Sequence, residues 1–152
     1  MNLTFISSTE IDFSIRVIVA LFLGLIIGIE RVRAHKIAGP RTYGLVAMGS
    51  ALFVVCGELM RQRIGADVDA VRIAAQIVAG VGFLGAGIIM FRDNQVTGLT
   101  TATGLWVAAG IGVACGFGFY TLATIATCAT VITLTLLWKL EEKFIAPHDT
   151  VR

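Results

Sequence analysis

From residue 94 to residue 138 the chain contains no Asp, Glu, Lys or Arg, an uncharged run of 45 residues. One membrane-spanning helix needs roughly 20 apolar residues, so this run is too long for one span and fits two joined by a tight turn. The glycine-rich stretch Cys115, Gly116, Phe117, Gly118, Phe119 is the expected turn. The whole chain is 57% hydrophobic and 14% charged, against roughly 25% charged in an average soluble domain. Too few charges remain to coat a large soluble domain, so the sequence reads as one integral membrane domain, an all-α bundle. The net charge of +2 gives no reason to expect a nucleic-acid partner.

Hydropathy divides the chain into five expected spans, at about residues 13–29, 42–57, 73–91, 98–115 and 119–138, with residues 139–152 as a short tail. The second is short and is expected to tilt or to continue through Glu58, Leu59 and Met60. Basic residues then set the orientation. Arg31, Arg33, Lys36, Arg41, Arg92, Lys139, Lys143 and Arg152 fall on one side, and Arg16, Arg61, Arg63 and Arg72 on the other. The richer side is expected in the cytoplasm, which puts the N-terminus outside and the C-terminus inside. Glu141, Glu142 and Lys143 are expected to continue the last helix by a turn, and Pro147 to end it. A cleavable signal peptide is not expected, because acidic residues flank the first apolar run and no small-residue cleavage site follows it. Cys56, Cys115 and Cys128 are odd in number, lie in apolar segments and read as buried small hydrophobes.

Small residues recur at helical spacing. Gly104, Ala108, Gly112 and Gly116 form a seam on the fourth span, Gly24 and Gly28 a shorter one on the first, and Ala74, Val78, Gly82 and Ala86 another on the third. In lipid there is little hydrophobic drive between helices, and small residues let backbones approach closely. Each seam therefore reads either as packing within the chain or as a face for a second copy or a partner helix. Thr121, Thr124, Thr127, Thr130 and Thr133 are not a stripe, because steps of three drift around a helix of 3.6 residues per turn. Their hydroxyls are expected to bond back to their own helix.

Several motifs mimic chemistry. Gly80, Gly82 and Gly85 match a dinucleotide fingerprint in spacing, but they sit inside an uncharged run, with no strand before them and no acidic residue at the needed distance. His35 and His148 lack metal-ligand spacing and read as solvated. Mg²⁺ prefers hard oxygen ligands, usually carboxylates and waters. No Asp or Glu lies within a span; Glu30 and Glu58 sit at span ends, and only Gln76 and threonines lie deeper. A self-contained Mg²⁺ carrier is thus weakly supported, and no metal or cofactor is expected. The densest polar cluster runs from Gly28 to Thr42, where Glu30 can pair with Arg31, Arg33 or Arg41. It reads as a topology anchor that also binds anionic lipid headgroups, or as a charged cap that fixes two helix ends and touches a partner.

Three segments together resemble the membrane domain of the MgtC/SapB family. The first holds Gly24, Gly28, Glu30 and Arg31, then Ala38, Gly39, Arg41 and Thr42. The second runs from Arg72 through Gln76 to Gly80, Gly82, Gly85 and Gly87. The third holds Gly98, Thr100, Thr101 and Gly104, followed by Gly110, Gly112 and Gly116. The resemblance implies a bacterial inner-membrane protein of five spans, linked to adaptation to low Mg²⁺, whose accepted activity is not transport. It also implies membrane partners, the F-type ATP synthase among them. The chain departs from the family's pattern at Pro40, where leucine is usual, and without a soluble domain after the spans it is closer to the short, SapB-like form.

Two functional readings follow. One is a non-enzymatic modulator of Mg²⁺ or envelope homeostasis that acts through helix contacts with membrane lipids, a second copy or another membrane protein. The other is a small oligomeric channel or transporter, with Gln76, Thr100, Thr101, Thr103 and unwound carbonyls at Gly80 to Gly87 lining the path. Bulky residues at Gly82, Gly85 or Gly112 are expected to abolish function under the first reading. An enzyme is the weakest class, since no nucleophile–base pair can be assembled.

Overall fold

A computed structural model of the protein describes residues 8–65, 69–92 and 95–144. Five helices dominate: α1 (Ser8–Arg33), α2 (Pro40–Ile64), α3 (Ala70–Ile88), α4 (Leu99–Gly116) and α5 (Tyr120–Phe144). All five are long and apolar enough to cross a membrane. Even α4, with 18 residues, is about 27 Å long, close to the roughly 30 Å of a hydrocarbon core. Asp67, Asn94, Pro147, His148 and Arg152 lie outside the described residues.

The core is built from α1, α2 and α4. Gly24 lies against the Tyr43 carbonyl, and Gly28 against the backbone of Pro40. From α4, Gly112 meets the Ala47 carbonyl of α2 and Gly116 meets Val54. A Cβ at any of these glycines would collide with the neighbouring helix. Ala20, Ile27, Tyr43, Ala47, Ala51, Leu105, Ala108, Ile111 and Cys115 fill the space between. The seams on the first and fourth spans are therefore packing surfaces within the chain.

Helices α3 and α5 sit at the periphery. Only Val81 and Gly85 are buried on α3, and, among the described side chains, only Ala123 and Thr127 on α5. The third seam is mostly bare: Ala74 is half-buried, but Val78, Gly82 and Ala86 are exposed, and a Cβ at Gly82 would meet open space, as it would at Gly80 and Gly87 nearby. Of the cysteines, Cys115 is buried as expected, but Cys56 and Cys128 are exposed on helix surfaces. A cysteine in an apolar span can face lipid as readily as protein.

The boundaries correct the sequence reading in several places, and α1 covers Ser8–Arg33 rather than residues 13–29. Helix α2 reaches Ile64, well beyond residue 57, and Gly65 closes it in the left-handed conformation. The third span ends at Ile88 rather than at residue 91: Ile89 is extended, and Phe91 lies in a short antiparallel hairpin of β1 (Met90–Arg92) and β2 (Gln95–Thr97). Gly98 (φ 86°) then leads into α4, with its Cα packed against the Ile88 carbonyl, a place where only glycine fits. The turn after α4 falls where it is expected, with Gly118 at φ 81°. Arg16 of α1 secures it, donating from Nη1 to the Gly116 carbonyl (3.0 Å) while pairing with Asp12 (2.6 Å). A cation at a helix C-terminus satisfies a free carbonyl and complements the helix dipole.

On α5, Thr124, Thr127 and Thr130 bond back to the carbonyls of Tyr120, Ala123 and Ala126. These three hydroxyls thus satisfy themselves locally.

Candidate functional site

The polar cluster at the end of α1 is assembled by a tight helix stop. Lys36 N–H bonds the Arg31 carbonyl and His35 N–H the Val32 carbonyl, both at 3.0 Å, with His35 at φ 54°. This is a Schellman termination, whose left-handed residue is usually glycine. The chain then turns through Gly39 into α2, with Pro40 in the first turn, where its missing N–H costs nothing. Pro40 thus serves a rigid helix start packed on Gly28.

Within this corner Glu30 and Arg31 form a bidentate pair. Arg31 donates from Nε (2.6 Å) and Nη2 (3.0 Å) to the two oxygens of the Glu30 carboxylate. The Arg31 side chain is 2% exposed and that of Glu30 10%. A fork-to-fork arrangement of this kind is the strong form of an ion pair, and at this burial each partner needs the other. The third guanidinium nitrogen, Nη1, is buried with no hydrogen-bond partner among the described residues. Of the partners considered for Glu30 on sequence grounds, Arg31 is the one engaged. Arg33 and Arg41 are exposed.

Tyr43, next to this motif and fully buried, went unread in the sequence. Its hydroxyl donates to the Thr101 carbonyl (3.1 Å), and its ring lies over Gly104. It ties the start of α2 to the start of α4. The available signal was a tyrosine at the head of an apolar span, since a buried phenol needs an acceptor. The same bond fixes Thr101, which is 4% exposed. Thr101 is a structural element of the α2–α4 contact. Thr100 is exposed, and the Thr103 hydroxyl bonds back to the carbonyls of Leu99 (3.1 Å) and Thr100 (3.0 Å).

A second feature lies between α2 and α3. The two helices splay to leave an open groove of about 990 Å³. Arg41 and Thr42 mark one end and Asp69 and Arg72 the other, with Gln76 and Gly80 along the α3 wall. From Arg41 to Phe53 the groove follows α2 for about 18 Å. Its surface is largely apolar, with Leu45, Phe53 and Leu84 among the lining side chains. The groove unites four residues singled out in the sequence: Arg41, Thr42, Gln76 and Gly80.

The other singled-out residues lie elsewhere. Gly85 touches Ala102 of α4 (3.5 Å from an ideal Cβ). Gly82 and Gly87 face open space, Gly98 starts α4, and Gly112 is locked against α2. The unwound carbonyls considered for Gly80 to Gly87 are not present, because α3 is one continuous helix to Ile88. Among the described residues, no three His, Cys, Asp or Glu side chains are placed to hold a metal ion. The arrangement can dock an apolar rod and orient it by the charges at its ends.

Known proteins are similar to this chain in sequence. The MgtC family model matches residues 17–143. The chain is 51% identical over 83 residues to "Protein MgtC" of Brucella abortus (strain 2308), covering 55% of this chain and 33% of that protein. It is 45% identical over 97 residues to "Putative magnesium transporter YhiD" of Escherichia coli (strain K12), covering 60% of this chain and 44% of that one. It is 44% identical over 90 residues to "Protein MgtC" of Salmonella typhimurium (strain 14028s / SGSC 2262), covering 59% and 37%. The chain thus aligns with between one third and less than half of the length of these relatives. No solved structure matches it. A match across nearly all of the helical core, together with five helices able to span a bilayer, makes this a multi-pass membrane protein that belongs to the MgtC family.

Proposed function

We propose that the protein is a non-enzymatic modulator in Mg²⁺ homeostasis that works by receiving a partner's membrane helix in the α2–α3 groove. Family membership supports the link to Mg²⁺. The observation that carries the mode of action is the contrast on α3. It is a full-length helix with only two buried residues and glycines open to its surroundings, beside a long apolar groove. Small residues on a lipid-facing helix are where another helix approaches most closely. Arg41 and Thr42 at one end, and Asp69 and Arg72 at the other, would set the register of the docked helix.

In this reading the protein lies in the bacterial inner membrane, N-terminus outside and C-terminus in the cytoplasm, following its basic residues. The docked helix belongs to another membrane protein, and the resemblance to the family points to the F-type ATP synthase as one such partner. A second copy of this chain is the other occupant of the same chemistry.

Transport is the second reading. Gln76 on the groove wall favours it, as does the printed name of the Escherichia coli relative. One experiment separates the two. Purified protein in liposomes is tested for Mg²⁺ and proton flux, with Gln76→Leu beside it. The modulator reading expects no flux above empty vesicles, together with photocrosslinks from Leu45 or Leu84 to a membrane protein in intact cells. Flux that disappears in Gln76→Leu would overturn it.

A further inference from the structure

A separate pocket opens between α1 and α5, away from the α2–α3 groove. It measures about 400 Å³ and is lined by Ile26, Ile29, Glu30, Arg33, Trp138 and Lys139, among others. The two helices run in the same direction, so the end of α1 and the last turns of α5 meet at one end of the bundle. This end also carries Arg31, Lys36 and Arg41.

The charges in the pocket do not cancel. Glu30 is its one acidic lining residue among the described side chains, and both of its oxygens are held by Arg31. Arg33 and Lys139 are left over, one from each helix, both exposed and both without an ion pair among the described residues. The negative end of the α1 dipole acts against an anion here, but the carbonyls of Glu30, Arg31 and Val32 are already engaged by the turn at residues 34–36. Two full cations outweigh what remains.

Below these cations the pocket is greasy. Ile26 and Ile29 are 48% and 44% exposed and continue directly onto the outer surface of α1. Trp138, 38% exposed, stands beside Lys139. Tryptophan settles at the headgroup level of a bilayer, and lysine stems lie along apolar surface with the charge held at the interface.

We propose that this pocket holds the phosphate of an anionic glycerophospholipid between Arg33 and Lys139, with one acyl chain lying along Ile29 and Ile26. A basic pocket between helices at the membrane boundary is a known headgroup site. The apolar strip decides for a lipid over a free phosphate, because a small soluble anion would leave that strip unused. The bound lipid bridges α1 to α5, a helix with little other packing, and holds it on the bundle.

The test uses the full chain in uncharged detergent, with native mass spectrometry reading bound lipid. Phosphatidylglycerol is compared with phosphatidylcholine of the same chains, with glycerol phosphate as the soluble competitor. Phosphatidylglycerol is expected to be retained at least about tenfold more strongly. Arg33→Gln with Lys139→Gln is expected to remove that preference, a fall on the order of tenfold to thirtyfold. Lys139→Gln alone, on an exposed face that leaves folding intact, is expected to lower retention by about fivefold. Arg61→Gln with Arg63→Gln, at the opposite end of α2, is expected to leave it unchanged. Equal retention of the two lipids, or full retention by the α1–α5 variants, overturns the proposal. Displacement by glycerol phosphate also overturns it, in favour of a soluble anion.

Discussion

Helices α4 and α3 carry the same kind of small-residue seam, yet one is buried and the other is bare. On α4, Gly104, Gly112 and Gly116 each press against α2, and ten of its residues are buried. On α3, Gly80, Gly82 and Gly87 face open space, and two residues are buried. The difference teaches that a smooth seam is a capacity for close approach, and that the partner surface decides whether it is used. In α4 it is spent on the chain's own core. In α3 it remains available, which is why the docking reading rests on α3 and the stability of the bundle on α4.

The sharpest way to break this comparison is to place leucine on each seam in turn. Gly112→Leu drives new atoms into the Ala47 carbonyl and Ser50. Backbone cannot step aside as a flexible side chain can, so a loss of at least about 3 kcal/mol is expected. Folded yield and thermal unfolding in detergent would show it. A wild-type melting curve for this variant would mean that α2 and α4 are not locked as described.

Next in size is Arg31→Met, which leaves the Glu30 carboxylate buried without its partner. Removing one member of such a pair costs about 3 kcal/mol. Glu30→Leu combined with Arg31→Met removes both charges and is expected to recover most of that loss. If the double variant is no more stable than the single one, the pair does not act as a unit.

Tyr43→Phe should cost about 1 kcal/mol, since it removes the hydrogen bond of a buried phenol to the Thr101 carbonyl. The same substitution applied to Tyr120, which reaches no acceptor among the described residues, should cost less. The smallest effect on stability is expected on α3. Gly82→Ala should be neutral or stabilising by about 0.5 kcal/mol, because alanine favours the helix and meets nothing. Gly80→Leu, on the groove wall and with open space beside it, should also fold, while losing the groove crosslinks to a partner helix. A folded Gly80→Leu protein that still captures the partner would move the docking face off the α2–α3 groove.

The turn at Gly118, the uncharged α4–α5 pair and the local satisfaction of the α5 threonines were all readable from sequence, because each depends on spacing within a short stretch. The continuation of α2 to Ile64 was only partly readable, since Glu58, Arg61 and Gln62 look like a loop until they are seen bonding to one another along one helix face. The β1–β2 hairpin was not readable, because Ile89, Met90 and Phe91 are as apolar as the helix before them. Of the candidate site residues, Arg41, Thr42, Gln76 and Gly80 came together in a groove that joins two separate segments of the chain. Tyr43 was missed because its role lies in a carbonyl 58 residues away.

What the sequence determined by itself is the solvent: five apolar segments with charges at their ends must cross a bilayer, because no other arrangement hides so much apolar surface with so few charges. What only the tertiary structure decided is which faces of those segments meet protein and which meet lipid. The hydrocarbon of a bilayer is as apolar as a protein core, so the apolar pattern carries no inside and no outside. Gly82 and Gly112 read alike along the chain, and only the position of α2 separates a core contact from an open surface.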